Sequence, residues 1–597
     1  MMKLSDYVMR FVAEAGVKHV FMLPGGGAMH LNDSLRRTDG LDFVCNLHEQ
    51  ASAICAEAYC RVTGNLGVAL VTTGPGGTNA VTGVACAWLD STPCLFISGQ
   101  VKRSDLIKDS GLRQLGVQEI DIVSIVRPIT KYAVTVMEPA DIRMILEEAI
   151  YLARSGRPGP VWIDIPLDVQ AAQIDETDLS GFVPPNLPSA SDIRREASET
   201  LALLRTAERP VLLAGNGIRV AGAIEEFRQL VAKLGIPVLT TCPGLDLLPH
   251  SNPLLVGRPG AIASRGANFA LQNSDFLLTV GARLDMAMVG YSHRNLARAA
   301  KKVVVDIDPA EIEKLDMDIA VKVPADAGNF IQELLRQLDG TVQASRPEWL
   351  SRCREWKTSY PLVTHAHRTQ TAYVSTYAFT EAMSRLMDEG DTVIVGSSGA
   401  AIELVFLCLE VKEGQRIFHN RGTGSMGLGL PQAIGACFAN GQQKTILIEG
   451  DGSFQLNLQE LQTVATHRLP IKMFILNNQG FASIRLSQER HFGGLIGADD
   501  SSGLQLPDLK KIAEVYGIKT AQIRNHAEMA EELPCLLEGD GPLLCEIMIA
   551  PTESREPSIA SRQRKDGGMV SSPLEDLWPF LPRDEFLQNM IIPPLED

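Results

Sequence analysis

Several things are missing from this chain. It has no Cys-x-x-Cys spacing: its 11 cysteines stand singly among apolar neighbours, as at Cys45, Cys55, Cys60, Cys86, Cys94 and Cys437. That argues against a zinc or dithiol site and for reduced core residues. No apolar run approaches the ~18–20 residues that a bilayer span requires. The first residues, MMKLSDYVMR, enter an amphipathic helical pattern with no secretory apolar core and no small-residue cleavage site, so the cytoplasm is the expected compartment. Basic charge is also short, with 55 Lys and Arg against 71 Asp and Glu, a net of −16. Such a field repels phosphate backbones and anionic lipid, which speaks against nucleic acid and membrane as main partners.

What is present suffices for several cores. Apolar residues make up 45% and charged residues 21% of 597, a globular balance, and a length of this order corresponds to about three to five domains. The runs HVFML, LGVALVTT, PCLFISG and GPVWIDIP read as buried strands separated by helical periodicity, the alternation of a parallel doubly wound sheet. A second block holds RPVLLAG, PVLTT, FLLTVG and KKVVVDIDP, and a third holds DTVIVGSSG, KTILIEGDG, IKMFILNN and PLLCEIMIA. The chain therefore reads as α/β, with three doubly wound domains at 1–171, 192–340 and 370–550 and a C-terminal arm at 551–597. The Pro- and Ser-rich stretch Ala172–Ser191 reads as a linker, and TVQASRPEWLSRCREW as a second polar connection. The arm is expected to dock through its aromatics, Trp578 and Phe580.

Glycine-rich segments follow several strands: PGGGAMH, TGPGGTN with Gly74, Gly76, Gly77 and Asn79, and GDGSF with Gly450, Gly452 and Ser453. Their backbone N–H groups can approach an anion at a helix N-terminus, although plain strand-to-helix turns share the pattern. The more specific string is EGDGSFQLNLQELQTVATHRLPIKMFILNNQG. It sets Asp451 at the end of one strand and Asn477-Asn478 at the end of the next, at the edge where α/β sheets bind ligands. A carboxylate, an amide oxygen and a carbonyl make a half-shell of hard ligands suited to Mg²⁺ and a diphosphate; the plainer reading is a capping Asp and turn asparagines.

This spacing resembles the thiamine-diphosphate (ThDP) signature, and residues 1–550 resemble the large catalytic subunit of acetolactate synthase and its relatives. The resemblance implies that Asp451, Asn478 and the Gly480 carbonyl ligate Mg²⁺. Met426 would be the wedge under the cofactor, and the Gly424 carbonyl would accept from its amino group. In LHEQASAICAEAYCRVTG, Glu49 matches the glutamate that protonates the aminopyrimidine so that the thiazolium proton can leave; read alone it is a first-turn helix glutamate. Gln118, and more weakly Gln114, match the substrate-facing loop, and His30 and His48 are further candidates. Arg157, Arg283 and Asp308 match FAD contacts in a middle domain that some relatives keep without flavin. The resemblance further implies a homodimer or homotetramer whose active site lies at a subunit interface.

The expected reaction is decarboxylation of a 2-oxo acid, pyruvate first, with transfer of the two-carbon unit to an aldehyde or ketone. Departures from the acetolactate synthase pattern fall at Ala400-Ala401, Ser487, Val117 and Leu167 and suggest a wider or more polar acceptor pocket. GFASIRLSQ and the tail look more like relatives linked to surface-polysaccharide and branched deoxysugar synthesis, where the acceptor is a keto sugar. The basic residues Arg562, Arg564 and Lys565 would serve such an acceptor. Alternatives are a true acetolactate synthase, a 2-oxo acid decarboxylase, a C–C hydrolase, or a non-catalytic ThDP-binding regulatory protein.

Overall fold

The computed structural model describes residues 1–185, 193–340, 345–396, 399–563 and 569–595. Most of the PPNLPSASD linker, and Arg564 and Lys565, lie outside the described residues. Three six-stranded sheets carry the fold, and every pair within them is parallel.

The first sheet contains β1 (His19–Met22), β2 (Asp42–Cys45), β3 (Gly67–Val71), β4 (Cys94–Gln100), β5 (Tyr132–Thr135) and β6 (Val161–Pro166) in the order β2-β1-β3-β4-β6-β5. The second contains β7 (Pro210–Ala214), β8 (Val238–Thr240), β9 (Leu255–Gly257), β10 (Phe276–Val280), β11 (Lys301–Asp306) and β12 (Val321–Pro324) in the order β9-β8-β7-β10-β11-β12. The third contains β13 (Thr392–Val395), β14 (Arg416–Phe418), β15 (Thr445–Gly450), β16 (Ile471–Asn477), β17 (Lys519–Ile523) and β18 (Leu543–Met548) in the order β14-β13-β15-β16-β18-β17. The outer two sheets thus share one winding. The middle sheet has the winding typical of dinucleotide-binding folds, with its switch point between β7 and β10.

One apolar cluster runs from Phe21 and Trp162 of the first sheet to Ile394, Phe418 and Leu447 of the third. It passes through helices Glu49–Thr63 and Gly429–Ala439, which meet backbone to backbone: a Cβ on Gly435 would lie 2.2 Å from the Cys55 carbonyl oxygen. The middle sheet has its own cores.

Both polar connections are more structured than their composition suggests. Gln173–Ile174 pairs antiparallel with Met2–Lys3, and Pro347–Ser359 is a helix that buries Trp349, Cys353 and Trp356 on the middle domain. A few large apolar side chains on one face outweigh a polar average.

The C-terminal arm also lies on the middle domain, through different side chains than expected. Leu574, Leu577 and Phe586 are buried, whereas Trp578 and Phe580 are 41% and 51% exposed. Trp578 contributes its backbone: its N–H donates to the Ser558 carbonyl at 2.7 Å and its carbonyl accepts from Ser558 N–H at 3.0 Å, which turns the indole outward. Asn268 donates to the Leu574 carbonyl at 2.7 Å, Arg298 pairs with Glu575 at 2.8 Å, and the Trp356 indole donates to Asn589 at 2.7 Å.

Because Phe586 fills the middle-domain core, Phe586→Ala should cost about 3–5 kcal/mol. Chemical denaturation measures this, and an unchanged midpoint would show the arm to be an appendage.

Candidate active site

Strands β13, β15 and β16 are neighbours, so their carboxyl ends gather at one edge, with the switch point between β13 and β15. Asp451 follows β15 directly and is only 2% exposed. Its two oxygens accept from the N–H groups of Gly452 at 2.9 Å and Gly480 at 3.1 Å. Burial pushes its carboxyl up to about 7 despite these donors, and among the described residues no Lys or Arg forms an ion pair with it. Asn478 follows β16, and its Oδ1 is buried without a hydrogen-bond partner among the described residues. An unpaired carboxylate beside an unsatisfied amide oxygen suits a hard divalent cation. Among the described residues no three His, Cys, Asp or Glu side chains converge as a zinc-type site would require.

The loop from Asn478 to Gly480 is held in an uncommon conformation. Gln479 has φ +61° and Gly480 φ +141°, and a Cβ on Gly480 would lie 2.3 Å from the Ala498 carbonyl oxygen. Arg485 secures it, donating to the carbonyls of Gln479 at 3.1 Å and Pro551 at 2.6 Å and pairing with Asp499 at 2.8 Å. Gly452 is needed because the Phe481 ring would lie 2.4 Å from a Cβ there. Nothing in the linear motif marks Arg485 for this role.

A second group surrounds Met426. Ser453 Oγ accepts from Gly427 N–H at 3.0 Å, and Asn457 donates to the Gly427 carbonyl at 2.9 Å and to Gln50 Oε1 at 2.8 Å. Ser453 therefore shapes the Gly424–Gly427 turn, and Asn457 ties that turn to the start of the Glu49 helix. Further ties are Asn46 and the Leu47 N–H to Glu460, at 3.0 and 2.9 Å, and Cys86 to Thr423 at 3.2 Å.

The third group belongs to the first sheet. Glu49 opens its helix and is 7% exposed; Asn79 donates to its Oε2 at 3.0 Å. Asn79 is thus placed to orient the glutamate, and His48 caps the same helix, accepting from Gln50 N–H at 3.1 Å. Gly74 caps helix Pro75–Leu89, and its missing side chain lets the Gln118 backbone approach, since a Cβ would lie 2.3 Å from the Gln118 oxygen. Gly76 and Gly77 are close-packed against Thr72 and Ile122. Gln118 is exposed with φ +63°, and Gln114 donates to the Glu119 carbonyl at 3.1 Å. His30 is half-buried, Ser487 and Val117 are exposed, Leu167 is half-buried, and Ala401 is buried in helix Ala400–Cys408.

The middle domain holds a cavity of about 330 Å³ at its switch point, lined by Asn216, Gly217, Gly281, Arg283, Asp306 and Arg157 among others. Arg157 pairs with Asp308 at 3.0 Å and Glu311 at 2.8 Å, and Arg283 with Glu311 at 3.3 Å. Asp308 also caps helix Pro309–Glu313, so it holds the arginine and the helix, while Asp306 is the carboxylate that lines the cavity.

Comparison with known proteins agrees with this layout. Residues 2–125 match the thiamine pyrophosphate enzyme N-terminal TPP binding domain, 197–334 the central domain and 395–547 the C-terminal TPP binding domain. The chain belongs to the thiamine pyrophosphate enzyme family. Within it the chain is an enzyme of the acetolactate synthase type. It is 35% identical to the acetolactate synthase large subunit of Lactococcus lactis subsp. lactis, over 94% of this chain and 95% of that protein. It is 32% identical to the probable acetolactate synthase large subunit of Methanocaldococcus jannaschii, over 93% of each, and 33% identical to the acetolactate synthase large subunit of Cyanidium caldarium, over 91% and 92%. None of these three is named for a sugar acceptor.

The Asp451 carboxyl, raised from 3.8 to about 7, keeps a proton in the folded chain that the unfolded chain has lost. Its effect on stability therefore worsens as pH rises across that interval and is fully adverse above about 7. A cation must displace this proton at lower pH. The affinity for Mg²⁺ with ThDP should fall by up to about tenfold per pH unit below the raised value and level off above it. Asp451→Ala should abolish the Mg²⁺-dependent part; calorimetry across pH measures both.

Proposed function

We propose that this chain is a Mg²⁺- and ThDP-dependent carboligase that decarboxylates pyruvate and transfers the two-carbon unit to a carbonyl acceptor larger than a second pyruvate, such as a keto sugar. The observation that carries the cofactor reading is the burial of Asp451 and Asn478 at the edge of the third sheet, with the Asn478 Oδ1 unpartnered among the described residues. Asp451, Asn478 and the Gly480 carbonyl would hold the metal, with Gly450, Gly452 and Ser453 near the diphosphate and Gly424 and Met426 at the pyrimidine. When bound, ThDP supplies the electron sink for loss of CO₂ from a 2-oxo acid. Glu49 holds and returns a proton at the pyrimidine nitrogen; since Asn79 occupies Oε2, Oε1 is the atom that exchanges it. Gln118, presented by the loop packed on Gly74, contacts substrate.

The wider acceptor pocket rests on the serine at 487, exposed where the family pattern has an indole. A lost wall contact changes discrimination by only ~1–3 kcal/mol, so it permits a large acceptor without selecting it. Acetolactate synthesis proper is the second reading, favoured by the names of the relatives. We keep the division at 1–171, 192–340, 370–550 and 551–597 as the domain assignment. Leu112, Leu115, Val117, Phe492 and Ile496 are more than half exposed on segments flanking the site, which supports a homodimer or homotetramer completed around it.

FAD fits the middle-domain cavity by sheet order, by the paired backbones of Gly215 and Gly281, and by the Asp306 carboxylate, a partner for ribose hydroxyls. Decarboxylation with carbon transfer involves no net oxidation, so flavin there would serve structure. The purified protein should release FAD on unfolding, and Arg283→Ala should weaken its retention by removing a charge-assisted contact. A colourless protein that takes up no added FAD would leave the cavity to another ligand.

Glu49→Gln should bind ThDP normally yet slow exchange of the cofactor's C2 hydrogen by about 10²–10⁴. Pyruvate consumption with aldehydes, 2-oxo acids and keto sugars, read by product mass, tests the whole assignment. No CO₂ release in the presence of both cofactors would exclude it.

A further inference from the structure

A second cavity, of about 480 Å³, lies at the seam between the middle and C-terminal domains. It is lined by Gly424, the residue matched to the cofactor's pyrimidine, and by Arg258, Arg421, Arg490, Arg555 and Glu403. In a chain of net charge −16, this concentration of guanidinium groups stands out.

The charges do not cancel. Glu403 is paired with Arg555. Asp285, the other acidic lining residue, accepts from the N–H groups of Ala287 at 3.0 Å and Met288 at 3.1 Å, which do not neutralise it, so four guanidinium groups face two carboxylates and the lining is net positive. His419, also in the wall, is held neutral by burial. Arg258 is 8% exposed, and among the described residues its partners are the carbonyls of Leu407 at 2.8 Å and Leu409 at 2.6 Å, at the end of helix Ala400–Cys408. Its Nε is buried without a partner, and among the described residues no carboxylate forms an ion pair with it. Arg421 likewise has no ion-pair partner among the described residues, and it lines both this cavity and the middle-domain one.

Helix-end carbonyls satisfy part of the Arg258 guanidinium but do not neutralise it, and burial of a cation without an ion-pair partner is costly unless an anion joins it. A lining with four guanidinium groups against two carboxylates, one of them already paired with Arg555, suits an anion such as a phosphate. On the carboligase reading given above, we propose that this cavity receives the phosphate or diphosphate group of the carbonyl acceptor, with Arg258 at its floor and Arg421 at its mouth. The reacting carbonyl then faces the Gly424 side.

The test compares D-glyceraldehyde with D-glyceraldehyde 3-phosphate as acceptors for pyruvate, using the enzyme loaded with ThDP and Mg²⁺. The phosphorylated acceptor should win by about tenfold or more in kcat/KM, and the ratio should fall toward one in Arg421→Ala and in Arg258→Met. Arg421 is exposed, so its variant stays informative if the Arg258 variant does not fold. Competition by uridine diphosphate would assign the group to a nucleotide-linked acceptor, and its absence to a simple phosphate ester; both uphold the proposal. A wild-type ratio near one, a ratio unchanged in Arg421→Ala, or loss of bound flavin from that variant with the ratio intact would overturn it. Measuring CO₂ release in parallel separates the two failures: without release the carboligase reading falls, whereas release without phosphate preference removes only this proposal.

Discussion

A carboxylate withdrawn from water at the end of β15 sets the terms for the sheet edge around it. Asp451 is nearly inaccessible, and two backbone N–H groups only partly offset its desolvation. To supply the second donor, the chain takes left-handed geometry at Gln479 and places Gly480 where no side chain fits. To keep that turn rigid, Arg485 is spent on two carbonyls and Asp499. Glu449, two residues earlier, is also buried and is pushed up to about 7. A Cβ on Gly396 or Gly429 would fall 2.0 or 2.2 Å from its carboxylate, so both glycines are required by its presence. Glu546 on β18, on the far side of β16, is likewise raised by burial. Each of these raised carboxyls carries a desolvation cost, and the glycines around Asp451 and Glu449 are the steric consequence of burying them.

How much of this was readable without coordinates depends on where each residue lies. All twelve strands named from apolar runs are interior to their sheets, and the six not named are the six at the edges: β2, β5, β9, β12, β14 and β17. The reason is solvation for β2 and β12, and shortness for β9 and β14, which are mostly buried but only 3 residues long. Interior parallel strands are covered on both faces and read as unbroken apolar runs, whereas β2 is mostly exposed and β12 alternates buried and exposed residues. Short edge strands with polar faces are also what keeps sheets from pairing with other chains.

The site shows the same division. Asp451 and Asn478 belong to one contiguous string whose spacing encodes a crossover between adjacent strands. Residues recruited from elsewhere left no such trace: Arg485, Asn457 with Gln50, and Arg258 act through contacts that only the folded chain brings together. Sequence also blurs two roles, because ligands and the residues that orient them are chosen from the same short polar types. Asn79, Ser453, His48 and Asp308 all lie where a ligand was expected, and each is hydrogen-bonded to a neighbouring protein group.

The outer domains and the middle domain relate differently to the chemistry. The first and third sheets share an apolar core, so the glutamate helix and the Met426 turn are fixed relative to one another by packing that resists small displacements. The middle domain meets the third sheet through a few apolar side chains, Leu245 in the third-domain core and Ile262 on the cluster of Tyr377 and Leu404, and through polar and main-chain contacts: Asp246 to Arg416 at 2.7 Å, Arg258 to two helix-end carbonyls, and the segment Pro557–Ile559, which pairs with Ala261–Ala263 as the arm crosses over. These contacts are spaced along the seam rather than continuous across it, and the seam cavity lies between them. A rigid pair of domains serves proton transfer, where tenths of an ångström matter. A seam lined by charge serves the recognition of a second substrate, whose size and charge can change while the first half of the reaction stays as it is.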